Sequence, residues 1–174
     1  MHLESGQITE LVARQISTLA GVASQQGIRL QHVKAHGALY NTAVADRRVA
    51  DAIARGVAAV DPSLILLGLP GSELVLAGIA AGLATAGEAF ADRAYRPDGT
   101  LVPRSEPGAV LHEPAEVLAR IVSLASRPGV DTICVHGDTP GAAELAANVR
   151  ATLEAASFVV KSLSSPRLGD ERSP

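Results

Sequence analysis

The sequence predicts an α/β fold in which successive βα units build a parallel sheet, and three observations carry that expectation. Amphipathic helical stretches alternate along the chain with short apolar runs of strand length, the pattern of βα units. The core has to be made from Ala, Val, Leu and Ile, because 47% of the residues are hydrophobic but only 2% are aromatic, with no Trp. The most chemically capable polar clusters fall just after the apolar runs. In parallel sheets the βα loops gather there and bind ligands.

The elements follow in order. Residues 7–26 carry Ile8, Leu11, Val12, Ile16, Leu19 and Ala23 at spacings of three and four, which predicts an amphipathic helix stopped at Gly27. Residues 29–34 read as a strand that ends in Lys34, His36 and a turn at Gly37. A second helix is predicted over 43–60, stopped by Asp61-Pro62. The continuously apolar run 64–67 predicts a strand buried on both faces, and Ser72 is placed to cap a helix over 73–86. A short strand over 88–91 leads into an irregular stretch, 92–108, of the kind that usually binds something or is disordered. A helix over 114–126 opens on Pro114, a strand covers 131–135, and Thr139-Pro140 starts a helix over 140–156. The expected layout is a single domain over 1–160 and a disordered, Ser/Pro-rich tail over 161–174.

Composition excludes several partners. A net charge of −3 with no basic stripe argues against nucleic acid. No apolar run reaches the roughly 18–20 residues needed to cross a bilayer, and the first residues lack the pattern of a signal peptide. The single cysteine, Cys134, sits in an apolar run and reads as a buried, inert thiol. The expected location is cytoplasmic, with no membrane contact.

Three clusters look chemical. In the first, Lys34 and His36 precede the polar turn of Gly37, Tyr40 and Asn41; a lysine at a strand end suits an anionic ligand, or it snorkels to solvent. The second offers Asp92, Arg93, Arg96 and Arg104, whose guanidinium forks can hold carboxylates or phosphates, or stand solvated. In the third, His136 can move protons near neutral pH with Asp138 to orient it, unless Asp138 merely helps cap the next helix. There is no Walker A loop, GxGxxG, GxSxG or HExxH, and GLPGS (68–72) is too short for a phosphate loop. No histidine has a second ligand at metal-site spacing, so no metal is expected.

Taken together, VKAHGALYN (33–41), EAFADRAYRPDGTLVPRSEPGAVLHEP (88–114) and CVHGDTPGA (134–142) resemble three C-terminal signatures of the LamB/YcsF family, the A subunits of 5-oxoprolinase. The likeness runs from about residue 7 to 156. It implies a β/α barrel of the glycoside hydrolase/deacetylase type. It also implies ATP-dependent opening of 5-oxoproline to glutamate, with ATP bound as its magnesium complex and two partner subunits, B and C. By that resemblance Lys34, His36, Tyr40 and Asn41 fall in the first signature, Asp92, Arg93 and Arg104 in the second, and His136 and Asp138 in the third; their side-chain chemistry then assigns Lys34, Tyr40, Asn41, Arg93 and Arg104 to binding substrate or ATP and His36, Asp92, His136 and Asp138 to catalysis. Ala35 stands where the family has proline. Family members also begin with strands bearing Asn-x-Asp, Gly-Phe-His and His-Pro segments that have no counterpart here. The expectation is therefore an incomplete barrel of about the last four or five βα units. Two alternatives stay open: a metal-dependent deacetylase-like hydrolase using His36 and His136, and a non-catalytic remnant of the family.

Overall fold

Four strands, β1 (His32–Lys34), β2 (Ile65–Gly68), β3 (Thr85–Phe90) and β4 (Thr132–Cys134), run parallel and neighbour one another in chain order. The coordinates are a computed structural model that describes residues 3–138 and 141–163. Helices precede and join the strands: α1 (Ser5–Gln25), α2 (Gly37–Ala43), α3 (Arg47–Val60), α4 (Glu73–Ala80), α5 (Pro114–Ala125) and α6 (Ala142–Ala155). Parallel strands in sequential order with helical crossovers are the βα succession from which a β/α barrel is made. The chain divides into two compact units. The first runs to Gly87 and takes in Leu163; the second runs from Glu88 to Ser162, so β3 gives a half to each.

In the first unit, α1 lays Ile8, Val12 and Ile16 against α3, as the three–four spacing predicts. The two helices approach closely because α3 presents small residues there. Thr9 donates its hydroxyl across the seam to the Ala52 carbonyl at 2.9 Å. A Cβ added at Gly56 would lie 2.8 Å from the Thr9 carbonyl oxygen and 3.0 Å from Val12. Backbone cannot rotate away, so Gly56→Ala should cost a net of up to about 2 kcal/mol. Overpacking of about 1–3 kcal/mol outweighs the roughly 1 kcal/mol gained in helix propensity. Denaturant unfolding at equal m-value checks it.

Asp46 caps α3 by accepting from the amides of Arg48 and Val49, and Ser72 caps α4 through the amide of Val75, as expected for Ser72. The two faces of β2 are both covered. Leu66 packs toward Gly78 of α4, while Ile65 and Leu67 cluster with Ala86 and Leu163 on the other face. Gln31 also hydrogen-bonds the Leu163 carbonyl. The first part of the expected tail, residues 161–163, is thus placed, and 164–174 lie outside the described residues.

Two elements differ from the sequence reading. The polar turn expected after Gly37 is a seven-residue helix, α2, that buries Tyr40 and Ala43. The helix expected over 73–86 ends at Ala80, and strand β3 begins at Thr85, three residues earlier than predicted. Gly82 makes the break, at φ 76°, where only a residue without a Cβ sits at ease.

The second unit is built on α5 and α6. Val117, Ile121 and Leu124 of α5 meet Leu145, Val149 and Leu153 of α6, with Ala89 and Ala91 from the strand side. Pro114 takes the first turn of α5, as expected. The Thr139-Pro140 pair expected to start α6 lies outside the described residues, and the helix runs from Ala142. Residues 92–108, expected to be irregular, carry two antiparallel bridges, Arg93 with Val110 and Tyr95 with Leu101.

Candidate functional site

The register of β3 and β4 assembles the site. Phe90 pairs with Cys134, so two residues further along each strand Asp92 comes opposite His136. Residues two apart share a face of a strand, which puts Phe90 and Asp92 on one side. Asp92 is 2% exposed, and its carboxylate accepts from both the backbone amide of His136 (3.2 Å) and the ring Nδ1 (2.8 Å). A carboxylate is acceptor-only, so Nδ1 carries a proton, and in the neutral ring the lone pair is then on Nε2. The imidazole is also held by its face: Phe90 stacks on it with ring centroids 5.5 Å apart and an interplanar angle of 17°. One edge is clamped, one face is covered, and one basic nitrogen remains for chemistry.

The sequence reading paired His136 with Asp138, two residues on. In the structure the carboxylate that orients the imidazole is Asp92, from 44 residues upstream. Asp138 instead accepts from Arg104 at 3.1 Å, and both side chains are largely exposed. The hydrogen bond from the Arg104 guanidinium, helped by one to its own backbone, holds the Asp138 carboxyl below the ordinary aspartate range. A lowered folded pKa stabilises the fold above the unfolded value, and that contribution is lost as pH falls through the folded value. In Arg104→Met the Asp138 carboxyl should titrate near its ordinary value by carboxyl NMR. Unchanged titration would mean the pair does not form in solution.

Arg93 is a buried cation, 3% exposed, wedged under the loop it begins. Its Nε donates to the Ala109 carbonyl at 3.1 Å and its Nη2 to the Val102 carbonyl at 2.5 Å. Burial, and then the neighbouring charge of Arg104, lower its pKa from the ordinary arginine value. The expectation of a ligand-binding fork thus meets a side chain with two donors already spent on the loop. Arg96, also on the loop, is exposed and pairs with Glu106 at 2.7 Å.

Within the first unit, Lys34 is half-buried at the end of β1, its ammonium 6.0 Å from the centroid of the buried Tyr40 ring. His36 and Asn41 are exposed, at the N-cap and on the body of α2. Asp92, Arg93, Arg104, His136 and Asp138 all belong to the second unit. Among the described residues no group of three or more His, Cys, Asp or Glu side chains gathers that could hold a metal ion.

Sequence reasoning passed over two residues here, Phe90 and Tyr95. Tyr95 accepts the backbone N–H of Phe90 on its phenolic oxygen at 2.7 Å. A strand alternation reading of 88, 90 and 92 was the one signal that could have tied Phe90 to Asp92.

The LamB/YcsF family model matches residues 1–167 of the chain. The chain is 49% identical over 170 residues to the 5-oxoprolinase A subunit of Rhodopseudomonas palustris (strain BisB18), a match covering 91% of the chain and 67% of that relative. It is 41% identical over 179 residues to the 5-oxoprolinase A subunit of Bacillus subtilis (strain 168), covering 96% and 70%. The crystal structure of a lactam utilization protein from Thermus thermophilus superposes with a TM-score of 0.80 at 39% identity, covering 92% of this chain and 69% of that one. The chain therefore spans about two thirds of the length of these relatives.

Proposed function

The chain belongs to the LamB/YcsF family, and on that premise we propose that it acts in ATP-dependent hydrolysis of the 5-oxoproline lactam to glutamate, with His136 as general base. The observation that carries the reading is the Asp92–His136 pair, a buried carboxylate held against Nδ1 of the imidazole. The relatives' names, 5-oxoprolinase and lactam utilization protein, supply the substrate class.

A lactam carbonyl is a poor electrophile, and transfer of the γ-phosphoryl group from ATP to its oxygen, releasing ADP, makes the carbon attackable. His136 Nε2 takes a proton from the water that adds to that carbon, and Asp92 stabilises the imidazolium so formed. The imidazolium returns the proton to the ring nitrogen as the C–N bond breaks. A second water hydrolyses the resulting acyl phosphate to glutamate and phosphate. Arg104 is the half-exposed cation proposed to meet the phosphate oxygens, in exchange for its bond to Asp138. Magnesium would enter with the nucleotide, since it is bound largely through substrate phosphates and water. The relatives are named as subunits, which accords with assembly beside further chains, proposed here as the B and C subunits.

The test is glutamate release from 5-oxoproline by the chain with its partner subunits, with and without ATP. Release that requires ATP and is lost in His136→Gln supports the reading. Absence of release by the assembled complex overturns it.

A further inference from the structure

The imidazole of His136 is fixed by Asp92 at its edge and by Phe90 across its face, which raises the question of what fixes Phe90. Phe90 lies beyond Gly87, where the registered pairing of β3 with β2 ends, so its backbone N–H is not among the pairs of that ladder. The phenolic oxygen of Tyr95 takes that N–H at 2.7 Å. Tyr95 is itself held. The guanidinium carbons of Arg120 and Arg127 lie 5.5 and 5.3 Å from its ring centroid, and a bridge to Leu101 fixes its backbone. Burial pushes its phenol above the ordinary tyrosine value, which keeps it neutral despite the two cations.

We infer that Tyr95 is a positioning residue for His136, its hydroxyl anchoring the end of β3 so that the Phe90 ring lies flat against the imidazole. The chain of contacts is short and each link is directional: two cations clamp the phenol, the phenol holds the strand amide, and the strand residue stacks on the base. Loss of the hydroxyl removes this hydrogen bond to the Phe90 N–H and lets the strand end, with the ring it carries, move. The inference rests on the reading of His136 as the base for its effect on rate, but not for its effect on geometry.

The experiment is NMR of the histidine side chains in the full chain, which has five histidines, with His136→Gln assigning the signal. In the unmodified protein His136 should be the Nδ1–H tautomer, with its ring protons displaced by the Phe90 ring current. In Tyr95→Phe, which keeps the ring and its two cations, those protons should move toward unstacked positions and the tautomer should become mixed. Phe90→Leu should produce the same displacement. In the assembled enzyme, kcat of Tyr95→Phe should fall about tenfold with KM nearly unchanged, within the roughly 100-fold range of small misplacements. Superimposable His136 signals in a folded Tyr95→Phe protein overturn the inference. Should that variant fail to fold, Arg120→Met/Arg127→Met leaves the phenol present but unclamped, and unchanged His136 signals there overturn it equally. Displaced signals in a protein that never hydrolyses the lactam would uphold the positioning role and remove the proposed function instead.

Discussion

Asp92→Asn should lower kcat for lactam hydrolysis by roughly 10²–10⁴, the span expected when a general base loses its tautomer and its charged partner. The carboxylate accepts twice from His136, once from its amide and once from Nδ1. Asparagine has a single acceptor oxygen, so its amide nitrogen must face one of those two donors. Either the ring flips its tautomer and points an N–H outward, or the backbone amide loses its bond. The flipped ring keeps its hydrogen bonds but loses the basic nitrogen, whereas loss of the amide bond leaves a buried donor unmatched, at a cost of about 1–3 kcal/mol in stability. Asp138→Asn is the control. That carboxylate is largely exposed and bonds Arg104, not the imidazole, so kcat should change less than tenfold. Equal losses in the two variants would show that the sequence pairing of His136 with Asp138 was the functional one.

The contrast between those carboxylates also marks what the sequence could show. Strand ends were legible because apolar runs stop where polar groups begin, and this placed Lys34, Asp92 and His136 correctly at the ends of β1, β3 and β4. Helix α1 was legible because Ile8, Val12 and Ile16 keep a clean three–four period. Helix α4 was overextended because 74–86 is apolar with little period, and such a run does not distinguish helix from strand. Helix α2 was missed because GALYNTA has turn-like composition; its helicity goes with burial of Tyr40 and Ala43, a tertiary effect. Asp92 was named as a candidate, yet its partner was not, because register between strands 44 residues apart leaves no local trace. Tyr95 was hidden for the same reason. Its chemistry is a single hydroxyl facing a backbone amide, and its position lies in a loop without periodicity.

Arg93→Met should destabilise the protein by about 1–3 kcal/mol, and the reason decides what Arg93 is for. Two carbonyls, of Ala109 and Val102, receive the guanidinium across the loop that runs from β3 to α5. Methionine removes the cost of burying a cation, which offsets part of the loss, but it takes the guanidinium donor from the Val102 oxygen, at about 1–3 kcal/mol, while the Ala109 oxygen keeps the N–H of Ala94. Arg93→Lys separates the two possible roles. A single ammonium restores the charge but does not reproduce the fork that bridges both carbonyls. If the side chain locks the loop, Arg93→Lys should lose nearly as much stability as Arg93→Met in denaturant titration, and amide exchange should quicken over 94–110. If instead it serves as the cation for a carboxylate or phosphate, Arg93→Lys should keep its stability and part of its activity, while Arg93→Met raises KM without unfolding sooner. The geometry favours the lock, because the group is 3% exposed and two of its donors already point into the loop. Of the cations left at the loop surface, Arg96 pairs with Glu106, and the one joined to Asp138 is Arg104. Charge reaching this site from solvent would meet that side chain first, with Asp138 as the partner it exchanges.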